Sequence, residues 1–364
     1  MRPTLTVNLS AICTNYQLLK SHHAKHNVAA VVKANAYGLG VAEVSKALWD
    51  NGCCDFFVAT LEEGIELRNV LPDEKTAKIG VFQGLFTGEE KEYTKCRLTP
   101  VLNDISQIER FIKCDLLSAN SQTMIHVDTG MTRLGLSETD LQTLSSKLQI
   151  PDSKLLIISH LACANTPDHP KNTEQLLRFH TALAHFSNSG INVKASFANS
   201  AGVFLPNEFH FDLARTGCAL YGISPTDDQK NQMQNVVTLS APILQIRTLD
   251  RDETIGYGAT ANAKAGARIA IVGIGYADGY TRLLGNKSFA YIAGHKAPII
   301  GRISMDLVAI DVSQIAENEL SAKSTLNAEF INAAQTVDDI ANAANTIGYE
   351  VFTRIGNRVK REYI

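Results

Sequence analysis

Between residues 28 and 217, short runs rich in apolar and β-branched residues alternate with longer stretches whose apolar positions recur at helical spacing. The runs are Val28–Val32, Asp55–Val58, Ala77–Phe82, Leu98–Leu102, Thr123–Val127, Leu155–Ser159, Val193–Ala198 and Phe211–Ala214. Several are apolar throughout rather than alternating, as expected of parallel strands buried on both faces. The stretches between them carry helix-start signals: Thr60 followed three residues later by Glu63 forms a capping-box pattern, and Asn103 opens the amphipathic run NDISQIERFIK. Eight strands joined by helical crossovers predict an α/β fold, specifically a (β/α)8 TIM barrel. A doubly wound sheet shares this alternation, and spacing alone does not separate the two.

The pattern changes after Tyr221. The polar stretch SPTDDQKNQMQN has no apolar period and reads as a linker. Beyond it VVTLSAPILQIRTLD, RIAIVGIGYA, FAYIAG and LVAIDVS are β-rich runs broken by Gly, Asn and Asp, predicting a second, mostly β C-terminal domain. We place the barrel at 9–225 and the β domain at 1–8 and 235–364.

A chain of 364 residues supports two such domains, and 45% hydrophobic with 20% charged residues is ordinary globular composition. The net charge of −3 gives no reason to expect nucleic acid. No signal-peptide core follows Met1, and no apolar run is long enough to cross a bilayer, so no membrane partner and a cytoplasmic location are expected. The seven cysteines include no C-x-x-C pair, and His22, His23 and His26 lie on a polar helical stretch, so neither a disulfide framework nor a metal site is expected.

A barrel places its chemistry at the C-terminal ends of its strands. There the sequence puts Lys33, Asn35 and Tyr37 after the first strand, and Asp128 and Arg133 after the fifth. His160 ends the sixth, Asn199 and Ser200 follow the seventh, and Arg215, Thr216 and Gly217 follow the eighth. A lysine closing the apolar strand VAAVVK is partly desolvated, which lowers its pKa and makes its amine available to join an aldehyde. The loops NSAG and RTGC after the last two strands suit a phosphate. Both features fit pyridoxal 5'-phosphate (PLP).

The segment AVVKANAYGLG resembles the cofactor-lysine signature of the alanine racemases, a PLP-dependent, barrel-type family. DTGMTRLG, SHLACAN, FANSAG, RTGCALYG, IGYGAT, IGYADGY and GRISMDL resemble further segments of that family in order, across both predicted domains. The resemblance implies a homodimer in which each active site joins one barrel to the partner's β domain. It implies that Lys33 carries the cofactor covalently and serves as one acid/base, with Tyr257 arriving from the other subunit as the second. Arg215 would face the pyridine nitrogen, supported by His160. Tyr37, Ser200, Gly217 and Cys218 would hold the phosphate, with Asn199 beside them. Arg133 and the backbone of Met305 would receive the carboxylate of alanine. Two bases on opposite faces are what racemisation needs, since a proton leaves one face of a planar carbon and returns to the other. A guanidinium only donates, so Arg215 keeps the ring nitrogen unprotonated.

The chain departs from many relatives at three places. His126 stands where they carry a lysine that becomes carbamylated, so Arg133 is expected to take another partner, either a bound anion or a nearby carboxylate. Ser196 replaces a histidine near Arg215, which implies simpler surroundings for that arginine. Asn357 replaces a tyrosine at the mouth of the site, where Tyr276 and Arg302 match lining positions. Three alternatives remain open from sequence: a PLP amino-acid decarboxylase, a non-catalytic PLP-binding barrel, and a racemase for serine or a broader set. The first lacks a counterpart of Tyr257 in this glycine setting, and the second lacks the β domain.

Overall fold

The computed structural model describes every residue except 1, 72–76, 115, 117–121, 145–154, 228–229 and 322–325. The chain packs as two units. One comprises Ile12–Ala36 and Gly40–Gln234, the other Met1–Ala11, Tyr37–Leu39 and Asn235–Ile364.

In the first unit, eight parallel strands run β2 (Val28–Val31), β3 (Asp55–Val58), β4 (Lys78–Val81), β5 (Thr99–Leu102), β6 (Thr123–His126), β7 (Leu155–Ile158), β8 (Lys194–Ser196) and β9 (Ala214–Thr216). From β2 to β8 each strand pairs with the next in sequence, and β2 also pairs with β9, which leaves β8 and β9 without a ladder between them. The remaining gap is bridged by two backbone hydrogen bonds, Asp212 N–H to Ala195 O and Arg215 N–H to Ala198 O, both 2.9 Å. This closes the sheet into the expected barrel. Every residue of VAAV, TPVL and LLII is buried, so these strands are apolar throughout because neither face meets water.

The eighth barrel strand differs from the sequence expectation. It spans Ala214–Thr216, not Phe211–Ala214, because Phe211 has φ 51°, outside the extended region. The Asp212 carboxylate then accepts the Ala195 N–H at 2.8 Å and pairs with Lys25 Nζ at 2.6 Å, holding a bend where a ladder was expected. Arg215 consequently lies within the strand and not after it.

A second correction concerns the helix Ile105–Lys113. Its cap is Asp104, whose carboxylate accepts the Gln107 N–H at 2.9 Å, and Asn103 is released for another use. At the helix Leu61–Val70, Thr60 is the N-cap as expected, but Glu63 does not reach back to its amide.

The second unit is mostly β. Among the described residues its main sheet follows β15 (His295–Pro298), β14 (Phe289–Ile292), β17 (Asn327–Ile331), β10 (Val237–Thr248), β1 (Thr4–Val7) and β18 (Lys360–Tyr363). Strands β13 (Arg268–Val272) and β16 (Val308–Asp311) branch from β10. The N-terminal β1 is recruited here, antiparallel to β10 and parallel to β18. Strands β11 (Glu253–Ile255) and β12 (Ala261–Ala263) form a separate hairpin. No described helix is long and apolar enough to cross a membrane.

Candidate active site

Lys33 follows β2 directly and opens an unusual backbone path. Ala34, Asn35, Ala36 and Tyr37 all have φ between 51° and 56°, a left-handed helical turn made almost without glycine. For L-residues this conformation costs roughly 1–2 kcal/mol per residue, so the surroundings must impose it. Three contacts in the barrel unit do so. Ala36 N–H bonds to Val32 O at 2.9 Å, the Asn35 side chain accepts the Val41 N–H at 2.7 Å, and the Glu63 carboxylate accepts the Ala34 N–H at 2.7 Å. The Lys33 amine is held below the usual lysine range by burial and, secondarily, by the Arg133 cation, with Glu63 opposing both. Phe82 faces the ammonium at 6.0 Å.

Arg215 is 3% exposed. Its Nη1 donates to the carbonyl of Ser196 at 2.9 Å and to the Ser196 hydroxyl at 2.5 Å, and its Nη2 donates to Ser159 O. His160 Nδ1 lies 3.5 Å from the same Nη2. Among the described residues, its Nε has no hydrogen-bond partner. A buried, orphaned charged donor is costly, and an acceptor such as a pyridine nitrogen satisfies it. Burial, with a smaller part from Arg133, pulls this guanidinium down to about 9, so it remains a cation at neutral pH. Ser196 does more than its sequence suggested. Its hydroxyl donates to Leu213 O at 2.6 Å while receiving Arg215, so it fixes the guanidinium plane without a histidine.

His160 lies well below the usual imidazole range, chiefly through burial and then through the charges of Arg215, Arg133, His126 and Lys33. Three strongly basic side chains and two imidazoles therefore converge at this rim. That field suits a ligand bearing both a phosphate and a carboxylate.

At the loops after the last two barrel strands, the Ser200 hydroxyl accepts the Gly217 N–H at 2.9 Å and the Ala219 N–H at 3.4 Å, tying the two loops together. Cys218 is buried in the short 3-10 turn that follows. Asn199 ties its own loop to the one after β7, accepting the Gly202 N–H and donating to Leu161 O.

His126 Nδ1 meets Asn103 Oδ1 at 2.8 Å. The Asn103 amide donates to Phe82 O and Val101 O, both 2.9 Å, which fixes its oxygen toward the ring. The imidazole therefore carries its proton on Nδ1 and leaves Nε2 as an acceptor. Burial first, then Arg215 and Arg133, pushes it down to about 4. Asn103 was read from the sequence as a helix cap, and this contact was not foreseen. Nearby, the Asp128 carboxylate accepts the N–H groups of Gly130, Met131 and Thr132 at 2.8, 3.0 and 3.1 Å. It shapes the loop bearing the exposed Arg133 but is not the carboxylate partner expected for that arginine.

The second unit carries the other residues. Tyr257 sits at the tip of the β11–β12 hairpin and is 69% exposed. Gly258 beside it has φ +74°, and a Cβ there would stand 2.8 Å from a terminal nitrogen of Arg302. Met305 is also exposed, and its carbonyl accepts the Ala277 N–H at 3.0 Å. Tyr257, Tyr276, Thr281, Arg282 and Arg354 line an open concavity of about 760 Å³. Asn357 is exposed in a turn after the helix Gly348–Arg354. Tyr37 is buried, its ring 5.9 Å from that of Tyr349.

Residues 7–225 match the family model described as the N-terminal domain of alanine racemase, and residues 236–363 match that of its C-terminal domain. The alanine racemase of Rhodospirillum rubrum is 43% identical over 99% of this chain and 95% of that protein. The alanine racemase of Rickettsia akari is 44% identical over 99% of each. Among solved structures, an alanine racemase from Bartonella henselae with covalently bound pyridoxal phosphate superposes with a TM-score of 0.90 at 36% identity, covering 100% of both chains. The biosynthetic alanine racemase of Pseudomonas aeruginosa gives 0.87 at 35%, covering 100% of this chain and 99% of that one.

The barrel and the β-rich second unit are thus those of the PLP-dependent amino-acid racemases, a class of isomerase. Within that class, the chain belongs to the alanine racemase family.

Proposed function

We propose that this chain interconverts L- and D-alanine, working as a cytoplasmic homodimer with PLP held on Lys33. The observation that carries the reading is the convergence of Lys33, Arg133, Arg215 and His126 on half-buried His160, together with the Nε of Arg215, unpartnered among the described residues. The residues present fit the cofactor. Lys33 would hold its aldehyde end, Arg215 Nε its ring nitrogen, and the loops of Ser200, Gly217 and Cys218 its phosphate, with Tyr37 beside them. When bound, PLP supplies an electron sink that makes the α-proton of an amino acid removable.

The chain's own groups move that proton. Burial lowers the pKa of Lys33 and so makes its Nζ easier to free of a proton; it takes the proton from one face, while Tyr257 Oη gives one to the other. In the reverse direction the Tyr257 phenolate takes and the Lys33 ammonium gives. Arg133 and the Met305 N–H orient the carboxylate. In place of a carbamate near Arg133 we propose a small anion beside His126, whose neutral ring supplies no charge. Arg215, itself a fixed donor, keeps the ring nitrogen unprotonated. The exposure of Tyr257 and Met305 supports their service to a second copy of the chain. We keep the domain limits at 9–225 for the barrel, and at 1–8 with 235–364 for the β domain.

The test is incubation with L-alanine in heavy water, following optical rotation and α-deuteration. Both should proceed together, and faster with alanine than with serine. Optical rotation that persists without deuteration would sink the reading, and preference for serine would replace the substrate.

A further inference from the structure

Glu63 does something its position as a helix-capping residue does not require. In the usual arrangement the third residue of a helix returns its carboxylate to the N-cap amide. Here Oε2 reaches one residue further back, accepting the Ala59 N–H at 2.7 Å, just beyond β3. Oε1 leaves the helix altogether and accepts the Ala34 N–H, also at 2.7 Å. Ala34 is the residue after Lys33 and the first of the left-handed turn. One carboxylate thus joins the C-terminal ends of two adjacent barrel strands, and both bonds are charge-assisted.

We propose that Glu63 is a positioning residue for Lys33: it pins the backbone on which the lysine stands and sets the charge that the amine faces. The proposal rests on the reading that Lys33 holds the cofactor. Around the amine, Arg133 is the neighbouring cation and Glu63 the neighbouring carboxylate, His160 also feels the lysine's charge, and the Phe82 ring stands at 6.0 Å. Without Glu63, burial and Arg133 act unopposed, and the left-handed turn loses the bond at its first amide. The amine then titrates lower and is held less firmly. The role is steric and electrostatic at once, which makes it separable by substitution. Glutamine is close to isosteric with Glu63 but uncharged, and it places an NH2 against one of the two backbone N–H groups. Aspartate keeps the charge with a shorter reach.

The test uses the holoenzyme and a readout other than turnover, the pH titration of the visible absorbance of the bound cofactor. Glu63→Gln should move its midpoint down by about half a pH unit or more. Glu63→Asp should recover part of that shift, and kcat should fall more than KM rises in Glu63→Gln. A Glu63→Gln enzyme that titrates with the wild type overturns the proposal. Should that variant not fold, hydrogen exchange on the wild type decides. The Ala34 amide should exchange at least about tenfold slower than an unprotected amide, and unprotected exchange there overturns the proposal equally. Failure of the underlying reading is distinguishable, because it would appear as a Lys33→Ala protein that keeps the visible band.

Discussion

The barrel rim and the β11–β12 hairpin carry the two proposed bases in opposite settings. Lys33 stands on a strained backbone held by side chains from its own unit, the unit that also holds Arg215, 3% exposed and bonded to three strand-end oxygens. Tyr257 stands on a two-stranded hairpin between positive-φ glycines, 69% exposed. The first half is tuned within its own unit, since burial and neighbouring charges already depress the lysine and both imidazoles. The second half is shaped but not enclosed by its unit, as expected of a group offered to another surface. Pre-organisation of charge and presentation of a side chain are therefore divided between the two units.

The harshest way to break this comparison is Lys33→Ala. It should abolish the visible cofactor band and reduce racemisation by at least about 10³-fold, measured by absorbance and optical rotation. A variant retaining both would end the assignment. Tyr257→Phe should keep the band, since the hairpin does not hold the cofactor. It should lower racemisation by about 10² to 10⁴-fold and leave α-proton exchange fast from one enantiomer only. Equal exchange from both would remove Tyr257 from its role.

Two smaller effects sharpen the contrast between enclosed and presented groups. His126 is depressed to about 4 in the folded chain against 6.5 unfolded, so below about 6.5 the unfolded chain takes up the proton first. Stability from this site is complete above that pH and is lost as pH falls toward 4. His160, His23 and His210 are depressed in the same direction, so the acid slope is shared. Removing one imidazole by His126→Asn should flatten it by up to about 2 kcal/mol, read from urea midpoints at pH 7 and pH 5. An unchanged slope would show that the ring is not held neutral. Gly258→Ala forces a Cβ into a left-handed position against Arg302 and should cost about 1 kcal/mol in thermal unfolding. Racemisation should fall while the cofactor band stays. Loss of the band would show that the hairpin and cofactor retention are not independent.

The parallel strands were legible because they are buried on both faces, which leaves near-continuous apolar runs such as VAAVVK and LLIIS; their closure into a barrel was not, since a doubly wound sheet has the same runs. The second unit was legible from β-rich runs spaced by turn residues. Register at the last barrel strand was not, because Phe211 and Asp212 have strand-like neighbours but adopt a bend fixed by Lys25 and the Ala195 amide. The left-handed turn after Lys33 was equally hidden. Ala-Asn-Ala-Tyr has helical propensity of the ordinary hand, and only contacts such as the Glu63 carboxylate reverse it.

The sequence by itself determined the alternation of strands and helices and the order of the motifs, which puts Lys33 and His160 just beyond their strands and Arg133 in the loop that follows its own, whatever their partners. Tertiary structure alone decided what those side chains are chemically. Ser196 and Ser159 take up two of Arg215's nitrogens and leave the third bare, Asn103 chooses the His126 tautomer, and Glu63 crosses between strands to Ala34. The reason is physical. Burial side is a local, periodic property of a chain, whereas hydrogen-bond partners, charge proximity and desolvation depend on groups tens of residues away that only folding brings within 3 Å or so.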